Sequence, residues 1–456
     1  MTDRLKDVVV VGGGIAGLAA AYELRRRGID VELLEAAPRT GGVIVTDRID
    51  GWVIDGGPDA LLVQKPAAID LCRELGLADR LVPTLLPRSA YVLRDGRLRR
   101  LAEGSLLGFP ISVTALAASS LFTWPGRLRM ACEIAIPRAE VDDESIASFV
   151  RRRFGEEAAA YLAEPLLAGI HAGDAERLSM RTLFPRLLDA EQRTGSVLRS
   201  LRARRVRPSP GGAFLSLPGG MSELVDAVSA ALGADCVRLS TRATAVARED
   251  VLIVECPPAT LRARAVVLAV PAWAAAELVR RFDATLAGLC DRVPYASTAT
   301  VALGYRRDQI RHPLDGSGFV VPRVEQVPLL AATWVTSKWP GRAPAGHALL
   351  RAFFGGGRDP HRVERPDEEL VATARNVLGQ VLEITGDPGL TRVYRFPRQA
   401  PQYEVGHLQR VAAIEQRAAS IPGLFLAGSG FRATGIPDCV ADGRAAGARA
   451  AEYVGT

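Results

Sequence analysis

Gly12, Gly14 and Gly17 stand as G-x-G-x-x-G between an apolar run, Val8–Val11, and a stretch of helix formers that opens with Ile15 and Ala16. In that setting Gly12 allows a tight turn, Gly14 lets the backbone approach a pyrophosphate, and Gly17 permits close packing of helix on strand. Unpaired N–H groups and the dipole at the helix start then favour phosphate oxygens. Glu35 and Ala36 follow the next apolar run, Val31–Leu34. A carboxylate there accepts from ribose hydroxyls and repels a 2′-phosphate, which disfavours NADP. The segment "EAAPRTGG" adds Arg39, Gly41 and Gly42, a cation and two permissive glycines suited to a second layer of phosphate and flavin contacts. No second glycine fingerprint offers a place to a nicotinamide cofactor. Near the C-terminus, "GLFLAGSG" carries Gly428, and Gly435, Ile436 and Pro437 open a last helix. Proline suits a first helical position. A helix start aimed at an isoalloxazine ring would stabilise the negative charge that develops on reduction. These residues together favour FAD over NAD.

Such residues need a sheet to hold them. Val8–Val11 reads as a buried parallel strand, Ile15 to Arg27 as a helix stopped by Gly28, and Val31–Leu34 as a second strand. "RAVVLAVPAW" (264–273) and "GLFLAGSG" (423–430) are further strand-like runs, and a helix is expected from about Pro437 to Tyr453. The strands of one nucleotide-binding sheet are therefore dispersed along the chain, with insertions between them.

Composition sets the limits. A chain of 456 residues, 48% hydrophobic and 24% charged, is a globular protein with a substantial core, which excludes a disordered chain. Its length suits roughly two to four domains. The net charge of +6 is modest, and the arginine runs at 25–27, 151–153 and 199–207 are expected to be solvated faces rather than nucleic-acid sites. Acidic lipid or an anionic substrate stays open for them. Six scattered cysteines without a C-x-x-C pair, and a charged start with no signal-peptide pattern, fit a reduced, cytoplasmic setting. Five dispersed histidines give no metal-ligand spacing, so no metal is expected. Residues 105–126 carry no charge. That stretch admits three readings: a buried core helix, a membrane-dipping element, or a true span disfavoured by Pro110, Pro125 and its glycines. Arg127 and Arg129 follow it, as they would where that end met anionic headgroups.

Narrower marks remain: "DGGPDALL" (55–62), "LLAGIHAGDAERLSMRTLFPRLLDAEQ" (166–192), "LPGGMSELVDAV" (217–228), "GSGFVVP" (316–322), "APQYEVGHLQR" (400–410) and "GIPDCVADGR" (435–444). With these the chain resembles, from end to end, the FAD-dependent protoporphyrinogen/coproporphyrinogen oxidases of haem biosynthesis, within the larger group of monoamine oxidases and phytoene desaturases. The resemblance implies an α/β fold with a discontinuous Rossmann-like FAD-binding domain (1–75, 212–272 and 420–456). It adds a helical membrane-associating domain (88–205) and a mixed-sheet substrate domain (273–419 with 76–87). It moves the membrane-dipping reading of 105–126 ahead of the others and implies a peripheral place on the cytoplasmic membrane face. The implied reaction removes six electrons from a porphyrinogen through FAD, with dioxygen as acceptor and hydrogen peroxide as product. Such chemistry needs no nucleophile, in keeping with the lack of a Ser/His/Asp arrangement.

Position by position, the resemblance gives Arg88 the pairing with a substrate propionate and Gly169 a place beside the macrocycle. Val320 and Leu330 sandwich the rings, Phe353 lies on a neighbouring pocket strand, and Val246 meets the adenine through its backbone. Gly57 and Pro58 join the cofactor set. Three positions depart from the pattern: Asp59 stands where members vary, His171 replaces an aromatic residue, and Ser317 replaces a frequent phenylalanine, loosening one wall of the pocket. Asp59 and His171 are the acid/base candidates. Protoporphyrinogen IX and coproporphyrinogen III both remain open as substrate, as does a homodimer. The competing readings are a same-fold amine oxidase or carotenoid-type desaturase, and a lipid- or prenyl-binding carrier without catalysis.

Overall fold

Val8 and Val10 point to one side of their strand and Val9 and Val11 to the other, and all four are buried. Such a strand requires apolar cover on both faces, as in a parallel sheet flanked by helices. The computed structural model describes residues 5–102, 105–106, 109–110, 112–203 and 211–455. In it, strand Lys6–Val11 lies between Val31–Leu34 and Ala259–Leu268, parallel to both, with Val10 opposite Leu33 and Val267. Val237–Arg238 extends the sheet beyond Val31–Leu34, Leu424–Leu426 pairs with Ala259–Leu268, and Leu252–Cys256 and Ala245–Arg248 add an antiparallel ribbon. The expected strands and both expected helices, observed as Ile15–Arg26 and Ile436–Gly455, are thus present within a few residues of their predicted limits.

Helices Ile15–Arg26, Ser222–Leu232 and Ile436–Gly455 cover the Val8/Val10 face, and Ala272–Val279, Ala284–Asp291 and His407–Ala419 cover the other. The last helix runs against the first so closely that side chains at Gly443 and Gly447 would meet the carbonyl oxygens of Ala16 and Ala20 at 2.1 and 2.6 Å. Its small residues are therefore a packing requirement as well as a composition.

A second sheet is mixed. Its strand order is Leu390–Pro401, Tyr295–Arg306, His347–Gly355, Ala331–Trp334, Gly318–Val320, Ala90–Arg94 and Arg97–Arg100. Only the contact between Gly318–Val320 and Ala90–Arg94 is parallel. Helix Asp367–Leu382 covers the face that carries Phe354 and Ala352. Register sets Val92, Val320, Ala331, Phe353, Thr300 and Tyr394 in one row across the sheet, on the opposite face.

Residues 112–203 build a helical unit around Phe149, Phe154, Leu162 and Leu178. Two expectations change here. The uncharged stretch 105–126 is not one element. It contains the short hairpin Ser105–Leu106/Phe109–Pro110, helix Val113–Ala118 capped by Ser112, and the start of helix Trp124–Ala131 capped by Thr123. Residues 107, 108 and 111 lie outside the described residues. Pro110 and Pro125 cannot sit inside a continuous helix, which is why the run breaks. No helix among the described residues is long and apolar enough to cross a membrane.

The arginine run 151–153 is a solvated face only at Arg151, which pairs with the exposed Glu156 and Glu176. Arg153 is fully buried, bonded to Glu133 and to the carbonyls of Ile136, Pro137 and Gly195, while Arg152 pairs with Glu144 and Glu191. Glu133 in turn accepts from Val197 N–H at 2.8 Å and Leu198 N–H at 3.2 Å, so the pair closes the start of the next helix. Residues 204–207 of the other basic run lie outside the described residues.

Candidate active site

The glycine loop has the geometry that its spacing requires. Gly12 adopts φ +106°, and a side chain there would stand 2.7 Å from the Ala269 carbonyl oxygen. A methyl on Gly17 would lie 1.9 Å from the Gly12 oxygen, whereas one on Gly14 would meet no atom within 4 Å. Helix Ile15–Arg26 starts at Gly14 without a side-chain cap, so no side chain of the helix start claims the first amides of Ile15, Ala16 and Gly17. Glu35 accepts from Gly13 N–H at 2.6 Å and Ala37 N–H at 2.8 Å, which holds the carboxylate against the loop and leaves lone pairs for a ribose hydroxyl.

Arg39 donates to the carbonyls of Thr40, Gly42 and Ile44, and so shapes the Gly41–Gly42 turn. Gly41 N–H donates to Gly13 O at 2.8 Å, which clasps the two glycine turns together, with Ala36 in the link between Glu35 and that turn. Val246 is buried in its strand opposite Val254. The open position above Gly14, the uncapped helix start and the acidic Glu35 fit a dinucleotide with free ribose hydroxyls.

The second helix start is built from behind. Gly428 N–H donates to Asp442 at 2.7 Å, and Arg432 bonds the same carboxylate, tying the strand end to helix Ile436–Gly455. Tyr403 hydroxyl lies 2.5 Å from the Ser429 carbonyl oxygen and 2.7 Å from that of Ala433, and its single proton is shared between them. His407 stacks on Tyr403 with centroids 4.0 Å apart and bonds Phe431 O through Nε2 at 2.9 Å. Burial lowers the His407 pKa to about 4, so the imidazole is neutral and acts as donor here. The "PQYEVGH" segment is thus the support of the 429–433 loop that delivers Gly435 and Ile436. Burial also pushes the Cys439 thiol up to about 12, with Asp442 adding to the rise, so it stays protonated at neutral pH.

Across from the glycine loop lies the 55–59 turn. A side chain at Gly57 would stand 1.9 Å from Val43 O, and one at Gly56 would enter the Tyr394 ring. Arg351 donates to the carbonyls of Asp55 (2.5 Å) and Gly57 (2.8 Å) and reaches the Asp59 carboxylate at 3.0 Å. Thr300 adds a 2.7 Å bond to Gly56 O. The turn bearing Gly57 and the half-buried Pro58 therefore rests on the same sheet face as Phe353. Asp59 is the hub, bonded also to Lys338 (3.0 Å) and Trp339 Nε1 (3.2 Å). Burial alone would raise its pKa, but Lys338 and Arg351 outweigh that and hold it well below the usual carboxylate range. A carboxylate so committed is a poor proton acceptor, and the acid/base role expected for Asp59 gives way to positioning.

The other predicted pocket residues lie on several elements. Leu330 N–H donates to Phe353 O and its carbonyl accepts from Val321 N–H, both at 2.9 Å, while Val320 packs against the helical unit. Ser317 lies at the head of its strand, bonded through its backbone to Ser89 and Trp334. Gly169 and His171 form the turn that ends the wide helical stretch Ala159–Ala168, which contains Pro165. The nearest atom to a side chain at Gly169 would be 3.9 Å away. Burial first, and Lys65 second, lower the His171 pKa to about 4, and Gln402 bonds its carbonyl at 3.2 Å. Arg88 is exposed and bonds Thr84 through Nε at 2.8 Å.

Lys338, Arg342, Arg351, Tyr403 and His407 escaped the sequence reading. One signal was available: Arg351 is the only charge in the apolar strand sequence "ALLRAFFG", which calls for a buried partner.

The chain is similar over its whole length to several known proteins. Coproporphyrinogen III oxidase from Bacillus subtilis (strain 168) is 34% identical over 100% of both chains. Chloroplastic protoporphyrinogen oxidase from Oryza sativa subsp. japonica is 29% identical over 98% of this chain and 88% of its own. Among solved structures, a provisionally named protoporphyrinogen oxidase from Exiguobacterium sp. 255-15 superposes with a TM-score of 0.89 at 32% identity, over 99% of this chain and 100% of that one. Cyclohexylamine oxidase from Brevibacterium oxydans IH-35A shares the fold, with a TM-score of 0.72 at 18% identity over 99% of this chain and 100% of its own. Residues 15–454 match the family described as flavin containing amine oxidoreductase. With an FAD-shaped cradle at one end of that match and the pocket sheet within it, the chain belongs to the flavin containing amine oxidoreductases.

Proposed function

We propose that the protein is an FAD-dependent, oxygen-dependent porphyrinogen oxidase of haem biosynthesis, with coproporphyrinogen III as its substrate. The full-length likeness to the Bacillus subtilis coproporphyrinogen III oxidase carries this reading. FAD, when bound, accepts the two electrons of each oxidation, so three rounds remove six, and dioxygen is reduced to hydrogen peroxide.

Gly12, Gly14, Ile15, Ala16 and Gly17 would hold the pyrophosphate of FAD, Glu35 its ribose, and the Ile436 helix start would stabilise negative charge on the reduced flavin. Val320, Leu330 and Phe353 supply apolar walls for a large, flat macrocycle, and the open flank of Gly169 leaves room for its face. Ser317 widens one wall. His171, held neutral by burial with its pKa lowered to about 4, offers a ring nitrogen as a hydrogen-bond partner for a pyrrole N–H and, like Asp59, is a poor proton acceptor. Arg88 pairs with a propionate through its guanidinium fork. With this reading goes an FAD unit whose sheet draws on 1–75, 212–272 and 420–456 and is also covered by helices Ala272–Val279, Ala284–Asp291 and His407–Ala419. Strands from 6–34, 237–268 and 424–426 sharing one sheet support it. The helical unit begins at 112 and not at the expected 88, because Ala90–Arg94 and Arg97–Arg100 join the mixed sheet, and the substrate unit is built on that mixed sheet.

The test is steady-state oxidation of coproporphyrinogen III and protoporphyrinogen IX, followed by porphyrin fluorescence and peroxide release. Turnover with a higher kcat/KM for the tetracarboxylate supports the proposal, and an amine substrate turned over in place of both defeats it. Arg88→Ala should raise KM by about tenfold or more, the worth of a charge-assisted pair. An unchanged KM removes Arg88 from the pocket.

The helical unit also presents Trp124 (73% exposed) and Leu128 (68%) one turn apart, with the Arg127 guanidinium 4.7 Å above the Trp124 ring. We propose that this corner docks on an anionic lipid surface. Vesicles of phosphatidylglycerol should carry the protein upward in flotation, and Trp124→Ser with Leu128→Ser should abolish that. Wild-type protein that stays at the bottom of the gradient rules the contact out.

A further inference from the structure

The charges around the 55–59 turn do not cancel. Asp55 is matched by Arg342 at 2.9 Å. Asp59 is a single carboxylate facing two cations, Lys338 and Arg351, each at 3.0 Å. The five groups together carry one surplus positive charge. A charge withdrawn from water without a counter-ion is costly, and the cost is relieved when an anion reaches it.

Lys338 is the member of the Asp59 cluster that reaches outward. Its side chain is 17% exposed, against 10% for Asp59 and 5% for Arg351. An ammonium has three donors. Two of them meet the Asp59 oxygens, at 3.0 Å each, which leaves a third for a ligand. The ammonium also stands 5.1 Å from the centre of the Trp339 ring and 5.9 Å from that of Phe214.

Strand Phe214–Ser216 places this lysine relative to the expected substrate arginine. It pairs on one side with Leu61–Leu62, just beyond Asp59, and on the other with Val82–Pro83, which leads into the loop of Arg88. Leu85 N–H donates to Lys338 O at 3.0 Å. The Arg88 Nε lies 2.8 Å from where a side chain on Gly212 would begin, two residues before Phe214. Lys338 and Arg88 therefore flank one apolar patch formed by Leu85, Leu86 and Phe214, which are 39%, 77% and 42% exposed. Two cations separated by exposed apolar side chains match a flat apolar ring bearing several carboxylates.

We propose that Lys338 is a second carboxylate-binding residue of the substrate pocket, held in place by Asp59, and that it favours a macrocycle with four carboxylates over one with two. This rests on the porphyrinogen reading. Lysine suits the task because a compact point charge can share its donors between Asp59 and a substrate carboxylate.

The test compares kcat/KM for coproporphyrinogen III and protoporphyrinogen IX in wild type and Lys338→Met. The ratio of the two values should fall by about tenfold in the variant, as expected for loss of one charge-assisted bond. Lys338→Arg should recover most of the ratio. Should the Met variant lose its flavin, Lys338→Gln, which keeps a donor to Asp59 without the charge, carries the same comparison. A ratio that stays at the wild-type value overturns the role of Lys338. Wild-type protein that oxidises neither porphyrinogen overturns the underlying reading instead, so the two failures are distinct.

Discussion

Gly17→Ala should leave the purified protein with less than about a tenth of its flavin, and should also destabilise it by about 1–3 kcal/mol or more, the cost of overpacking a closed contact. The methyl group would stand 1.9 Å from the Gly12 carbonyl oxygen, a backbone atom held in the turn, so the helix start and the turn must move apart. Gly14→Ala separates the two effects. Its methyl meets no protein atom within 4 Å, and the apoprotein should melt like wild type. Yet it fills the space through which a pyrophosphate would approach the helix start, so flavin uptake should still fall. The ratio of flavin to protein absorbance and the thermal midpoint of each apoprotein decide the matter. A Gly14→Ala protein with full flavin content would contradict the placement of the pyrophosphate.

Arg153→Met should cost about 3–5 kcal/mol, because it leaves the buried Glu133 carboxylate without its counter-ion. Arg153 and Glu133 are both fully buried, and Glu133 has no route to water that would let it recover solvation. The carboxylate would keep its bonds to Ser196, Val197 and Leu198, which limits the loss but does not supply a charge. Removing Glu133 as well, by Glu133→Leu, should recover part of the stability, since the expense lies in an unpaired charge rather than in the missing bond. Urea denaturation followed by far-ultraviolet circular dichroism gives the comparison. By contrast, Arg25→Met breaks an exposed pair with Asp235 and should leave the midpoint where it is. If the Arg153 and Arg25 variants lose the same stability, burial is not what distinguishes them.

The nucleotide half was legible because its determinants are local. A strand buried on both faces, a glycine turn and a capless helix start occupy adjacent positions in the chain, and their periodicity is written in Val8–Val11 and the helix after Gly14. The last helix was legible for the same reason. Residues 105–126 were legible only in part, because absence of charge does not specify continuity. The prolines within the run, and the capping hydroxyls of Ser112 and Thr123, divide it into short pieces. Arg152 and Arg153 misled because the side on which an arginine falls depends on partners far along the chain, Glu133, Glu144 and Glu191 among them.

By itself the amino-acid sequence determined the kind of cofactor and its cradle, since backbone amides, a turn and one carboxylate at fixed spacing suffice to hold a dinucleotide. It also carried the family likeness in motifs such as "PQYEVGH", without saying what they do. Only the tertiary structure decided the roles of the charged groups. It turned Asp59 from an acid/base candidate into the hub of an ion cluster and brought Lys338 beside a turn distant in sequence. The physical reason is that a carboxylate or ammonium takes its behaviour from the charges and burial around it, and in this fold those come from strands far apart in the chain.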